Sequence, residues 1–147
     1  MKLPTLLAQG HLVAQRGRVG ILVPSGIASD NTTKDFFAML AENNRLLRLY
    51  DFENKRTFFP EVHASFRFCI LNFGGNAVHH SAADFLFFAH TVEELEVKKR
   101  HIALSGADIK LLNPNTRTCP IFFSRRDAEI TKSVTVHALL KRIAVVR

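Results

Sequence analysis

Tryptophan is absent from the 147 residues and tyrosine occurs once, so the aromatic content is almost wholly phenylalanine, thirteen in all. Most of these rings read as core material, with a few left over that can stack on a flat ligand. The two cysteines, Cys69 and Cys119, are too few for a disulfide framework, and a reducing cytoplasm is the expected location. No apolar run approaches the roughly 20 residues of a membrane span, and no membrane partner is expected. The opening "MKLPTLLAQGHLVAQRGR" carries a short apolar piece without a small-residue cleavage site, which argues against a secretory signal. A Gly-rich phosphate loop is missing too: "GRVG" and "NFGG" are short and sit on the wrong sides of their strands. His63, Cys69, His79 and His80 lack metal-ligand spacing, and Cys69 lies inside an apolar strand, where it reads as a small core residue. "VPSGI" is not Gly-x-Ser-x-Gly, so Ser25 is not read as a nucleophile. No repeat or low-complexity tract is visible.

What the chain does have is positive charge. Lysine and arginine number 20 against 13 acids, for a net charge of +7 and an isoelectric point near 9.9. Such a balance favours polyanions, nucleic acid among them. A hydrophobic content of 47% with 22% charged residues is that of one globular domain with a real core.

Residues 1–16 carry a weak helical pattern through Leu3, Leu6, Leu7, Leu12 and Val13, ended by Gly17. Val19–Val23 is uniformly apolar, which predicts a central parallel strand covered on both faces. A helix is predicted over 33–42, capped by Thr32 with Asp35 or by Asn31, and ended by Asn43 and Asn44. Strands are predicted over 46–52, 66–73 and 84–90. Ser105 with Asp108 marks a short capped helix that stops before Pro114. "NPNTRTCPIFFSRRDAEI" reads as a turn-rich basic arm, and "TVHALLKRIAVVR" is ambiguous between strand and helix. The expected fold is α/β: parallel strand–helix–strand finished by an antiparallel edge, half of a doubly wound sheet, followed by a short mixed, basic arm. The segments are 1–16, 17–92 and 93–147.

The loop "NKRTFFPE" carries the clearest binding signal. Lys55 and Arg56 stand beside Phe58 and Phe59 just ahead of a buried strand. Cations grip phosphates while an aromatic stacks on a base. The competing reading is a solvated turn followed by two core phenylalanines. The loop after the first strand, Pro24, Ser25 and Gly26, lies where open α/β sheets place ligands.

The tract "GRVGILVPSGIASDNTTKDFFAMLAENNRLLRLYDFENKRTFFPEVHASFRFCILNFGG" resembles the second half of the catalytic domain of N6-adenine DNA methyltransferases of the large bacterial restriction–modification kind, type IIG. "IKLLNPNTRTCPIFFSRRDAEITK" resembles the segment leading to target recognition, so the likeness runs from Gly17 to Lys132. The resemblance implies a Rossmann-like sheet and S-adenosylmethionine as methyl donor. It also implies a double-stranded DNA substrate whose adenine is extruded. It assigns base stacking to Phe59, with Phe58 as competitor, and phosphate contact to Lys55 and Arg56. Pro24, Ser25 and Gly26 become a loop lining the site without performing chemistry.

The family's Gly-rich donor loop and its Asn-Pro-Pro-aromatic tetrapeptide do not occur in this sequence. "NPNT" has Asn115 where the second proline belongs and Thr116 where the aromatic belongs, and it reads as a turn with a polar, DNA-capable cluster of Asn115, Thr116 and Arg117. The expectation is therefore a part of such an enzyme that is inactive alone, holds no catalytic residue, binds no donor itself, and is completed by an amino-terminal catalytic half. The alternative is a non-catalytic basic DNA-binding module, or the partner of a separate methyltransferase chain. An unpaired sheet edge along Val19–Val23 invites a second copy of the chain.

Overall fold

A computed structural model describes residues 13–145. Five strands form one mixed sheet in the order β1-β3-β2-β4-β5. They are β1 (Arg18–Pro24), β2 (Leu46–Glu53), β3 (Arg67–Gly74), β4 (Ala83–Ala89) and β5 (Ile102–Leu104). Among the described residues four α-helices accompany them: α1 (Gly26–Ser29), α2 (Lys34–Glu42), α3 (Gly106–Leu112) and α4 (Arg125–Val145). Two short 3-10 turns, Glu93–Glu96 and Lys98–Arg100, join β4 to β5. The α/β class and the four main strands follow the sequence reading. The weak helical pattern of 1–16 falls largely outside the described residues, and Gln15 and Arg16 form a turn.

The arrangement of the strands differs from the expected one. β1 and β2 run the same way and are joined through α1 and α2, but they do not pair. β3 is antiparallel to both and lies between them. Only β2 and β4 pair in parallel, and antiparallel β5 closes the far edge. Among the described residues the strand at Val19–Val23 lies on the sheet's edge, as the expected unpaired edge there requires, but it is not central and its neighbour β3 is antiparallel rather than parallel, with Leu22 54% exposed. A continuous apolar run suits any strand whose faces are mostly covered, so the run itself does not fix position in the sheet.

One sheet face carries the main core. Val23, Leu49, Leu71, Phe73 and Phe85 meet Phe36, Phe37 and Leu40 of α2 and Ile109 of α3. Cys69 and Cys119 are buried here as free thiols, and burial, with the Asp51 charge, raises Cys69 to about 12. The opposite face holds a smaller cluster of Phe52, Phe68, Leu86 and Ala89 at the carboxyl end of β2. Its other half is open, a depression of about 500 Å³ that Arg18, Arg48, Asn72 and Asp84 help to line.

The caps are mixed in outcome. The cap position of α2 is Thr33 rather than Thr32, and no side chain caps the helix. The Thr33 hydroxyl instead donates to the Gly26 carbonyl at 2.8 Å, tying α2 to the start of α1. Asn43 closes α2, and Asn44 takes a left-handed φ of 55°, which asparagine tolerates. Ser105 and Asp108 form the expected capping box of α3. The ambiguous tail is helical. α4 docks on α3 through buried Ala128 and a 2.8 Å ion pair from Lys132 to Asp108. Farther along, Val134, Leu139 and Leu140 are exposed. Among the described residues no helix is long and apolar enough to cross a membrane.

Candidate nucleic-acid interface

A charged residue in the middle of an apolar strand organises the carboxyl end of the sheet. Asp51 of β2 is 1% exposed and accepts three hydrogen bonds. The Ser25 hydroxyl donates at 2.5 Å, Arg67 Nη2 at 2.5 Å and the Phe88 amide at 3.2 Å. One carboxylate thereby joins the ends of β1, β3 and β4 to β2. Removing Arg67 would leave the buried Asp51 charge uncompensated, whereas the arginine itself is partly exposed. Ser25 is held by this carboxylate, which also pairs with Arg67. A small cavity of about 30 Å³ lies alongside, lined in part by Ser25, Asp51, Arg67 and Ile121. The Arg67 Nε is buried there without a hydrogen-bond partner.

The Phe88 amide reaches Asp51 because β4 bulges. Tyr50 pairs with Leu86 and Phe52 with Ala89, so Asp51 alone faces both Phe87 and Phe88. Phe88 adopts a left-handed φ of 56°. A bulky residue there is a true outlier, at a cost of about 1–3 kcal/mol. The bulge turns the Phe88 ring to the Asp51 face, where it packs against the main core. Arg100 Nη2 locks the conformation from the other side, donating to the Phe87 and Phe88 carbonyls at 2.7 and 3.2 Å. The Arg67 guanidinium lies over the Phe88 ring, 4.5 Å from its centroid. Phe123 stacks flat on the same ring, at 4.7 Å and 5°.

The loop between β2 and β3, residues 54–66, carries the stacking and phosphate candidates. It is built around Asn54, which is fully buried. The Asn54 side chain accepts the Phe59 amide at 2.9 Å and donates to the Phe59 and Val62 carbonyls at 2.8 and 3.0 Å. Phe58 turns into the smaller cluster between Phe52 and Phe68. Phe59 stays 37% exposed, edge-on to Phe68 at 5.2 Å. Phe68 is the cross-strand partner of Pro24, so Phe59 and the end of β1 share one corner of the sheet.

Lys55 and Arg56 are the two central residues of a tight turn closed by the Thr57 amide on the Asn54 carbonyl, both with left-handed φ, 42° and 60°. The Lys55 ammonium is paired with Glu53 at 2.9 Å. Lys55 and His90 together hold the Glu53 carboxyl below its usual range. Arg56 is exposed. At Gly26, a Cβ would lie 2.3 Å from the Asp30 carboxylate, so the turn after β1 closes tightly on itself.

The remaining candidates lie elsewhere. Asn115 and Thr116 are exposed, and Arg117, at a left-handed φ of 53°, pairs its guanidinium with Glu42 at 3.1 Å. Glu42 ends α2, ahead of the start of β2, whereas Lys55 pairs with the last residue of β2. An eight-residue strand spans about 25 Å, so the two cationic heads sit at opposite ends of it. The structure gathers Pro24, Phe58 and Phe59 and leaves the Asn115–Arg117 cluster apart. Ser25 and Gly26 turn toward the other face. Among the described residues no group of three His, Cys, Asp or Glu side chains is placed to hold a metal ion.

Sequence reasoning passed over Asp51, Arg67, Phe88 and Phe123. The one signal available was Asp51 itself, a carboxylate inside the apolar run "RLLRLYDF". Chemically, the carboxyl end of the sheet offers half-exposed aromatic rings on a rigid frame with cations near them. Such an arrangement can grip a flat, anionic ligand. Compared with known proteins, the chain matches no family model and resembles no curated protein in sequence.

Proposed function

We propose that the chain is the carboxyl-side part of an S-adenosylmethionine-dependent DNA adenine-N6 methyltransferase domain of the restriction–modification kind. In this reading its residues contact DNA and the target base, and the methyl-transfer chemistry belongs to sequence outside it. The observation that carries the reading is the corner at the end of β2. There buried Asn54 fixes Phe59 with its ring part-exposed, and Phe68 links that ring to Pro24. An aromatic held this rigidly at the carboxyl end of a strand can stack on an extruded adenine. Arg56 then lies near the flanking phosphates.

A Rossmann-like sheet is supported by two co-directional strands joined through helices on one face. The outer edge of β1, unpaired among the described residues, leaves room for further strands, whether from a catalytic half or a second copy. The donor itself does not fit the described residues. The turn after β1 is filled by the Gly26–Asp30 approach, and no open glycine cradle stands at a strand end.

The test is fluorescence anisotropy with two labelled duplexes, one perfect and one carrying a single unpaired adenine. Tighter binding to the unpaired adenine is expected, with affinity falling steeply with salt. Phe59→Ala should erase the preference. Equal binding to both duplexes would favour the second reading, a basic DNA-binding module serving a separate chain, for which the net charge of +7 alone suffices. Absence of binding by the folded chain would overturn both.

A further inference from the structure

Residues 119–124 run past the carboxyl ends of the strands, anchored by the Cys119 amide on the Ala28 carbonyl at 2.8 Å and by buried Phe122. Phe123, the next residue, is 81% exposed. It is nonetheless fixed, because its ring lies flat on Phe88. Phe88 is aimed by the bulge in β4, which Asp51 and Arg100 lock from two sides. A phenylalanine that only filled space would not need a left-handed backbone secured by two charged side chains. Strain of this kind persists where the surroundings over-determine it, and it clusters at ligand sites. Its product here is a rigid aromatic plate open to solvent.

Cations stand beside the plate. Arg125 and Arg126 follow Phe123 after a single serine, and both are exposed. The Ser124 hydroxyl accepts the Asp127 amide at 3.1 Å, which fixes where α4 begins and hence where the arginines emerge. Arg125 pairs with Glu129 at 3.1 Å, with side chains 69% and 65% exposed, a pair weak enough to yield to a phosphate. An exposed ring with adjacent arginines is the combination that holds single strands: the base stacks and the phosphates pair.

We propose that Phe123 is a stacking platform for an unpaired base of single-stranded nucleic acid, with Arg125 and Arg126 on the neighbouring phosphates. The proposal rests on the reading that the chain binds nucleic acid, and it adds a site separate from Phe59. Phe59 sits with Phe68 on one sheet face, and Phe88 with Asp51 on the other.

The chain lacks tryptophan, so Phe123→Trp creates a single fluorescent reporter. Titration with a thymidine oligonucleotide should quench it saturably. Phe123→Ala, at a site this exposed, should keep the circular dichroism of the parent and weaken binding by about fivefold or more. The Arg125→Ala/Arg126→Ala double variant should reduce the salt slope of binding by about 1.4, two phosphates at about 0.7 each. Binding by anisotropy with no change in the emission of the introduced indole would overturn this site. If Phe59→Ala still weakened that binding, the reading above would stand. No binding by the folded parent would overturn both.

Discussion

The Asp51 carboxylate accepts the amide proton of Phe88, 37 residues away, and so holds a phenylalanine in a conformation that glycine would adopt freely. Around this bond the ends of four strands are tied together, and one aromatic ring is aimed.

Phe88→Gly and Phe88→Ala both lose the ring and its contacts with Arg67 and Phe123. They differ in the backbone. Alanine still pays the left-handed cost and glycine does not, so Phe88→Gly should be the more stable by about 1 kcal/mol. Denaturant midpoints compare them. The opposite order, usual at ordinary strand positions, would show that the bulge relaxes once the ring is gone.

Asn54 holds the 54–66 loop from inside. Asn54→Ala should destabilise the fold by about 1–3 kcal/mol for the backbone groups it leaves buried and unpaired. Hydrogen exchange at the Phe59 amide, now bonded to the Asn54 side chain, should accelerate by more than the global loss of stability explains.

Tyr50 is the chain's one tyrosine, so its ionisation can be followed by ultraviolet absorbance without overlap. Burial, then a 2.6 Å hydrogen bond to Asp84 and that carboxylate's charge, raise it from 10.0 to about 12. The stability this contributes is fully present below pH 10, the unfolded value, and is lost as pH rises through about 12. Asp84→Asn should move the folded titration back toward 10. It also withdraws the carboxylate that His101 Nδ1 meets at 2.8 Å, so some loss of stability should accompany the shift.

Asp108 docks α4. Burial pushes its carboxyl up, but Lys132 together with the Ser105 amide and hydroxyl outweighs this, and the net shift is downward from 3.8. The contribution is present above the unfolded value and lost as pH falls through the depressed folded one. Asp108→Asn should therefore be less stable than the parent at neutral pH. The gap should narrow only on the acid side of about pH 4. Urea unfolding at a series of pH values reads it.

Much of the secondary structure was legible. "RLLRLYDF", "SFRFCILNFGG" and "ADFLFFAHT" carry apolar runs of strand length, and the strands lie within a residue or so of those expected. Ser105 and Asp108 announced a cap because both bonds of a capping box are local. The box expected at Thr32 and Asp35 failed because the loop leaving β1 recruits Thr33 into bonds with Gly26 and Asp30. Those bonds depend on how α1 folds back, which local spacing does not encode. The tail stayed ambiguous because the helix as a whole is only weakly amphipathic, with Val134 on the side opposite Val136, Leu139 and Leu140.

Composition and local pattern suffice for the basic charge, the strand and helix segments, and the placing of a cationic, aromatic loop just before a buried strand. All of these depend on residue content and on contacts within a turn or two of chain. Three features arise only when the chain is folded: β3 passes between β1 and β2, the neighbour of Val19–Val23 is antiparallel, and Phe88 turns to the face of Asp51. Each of these is set by pairing among residues tens of positions apart. A shift of one residue in β4 register selects which face a ring occupies, and no local pattern in "DFLFFAH" marks that shift.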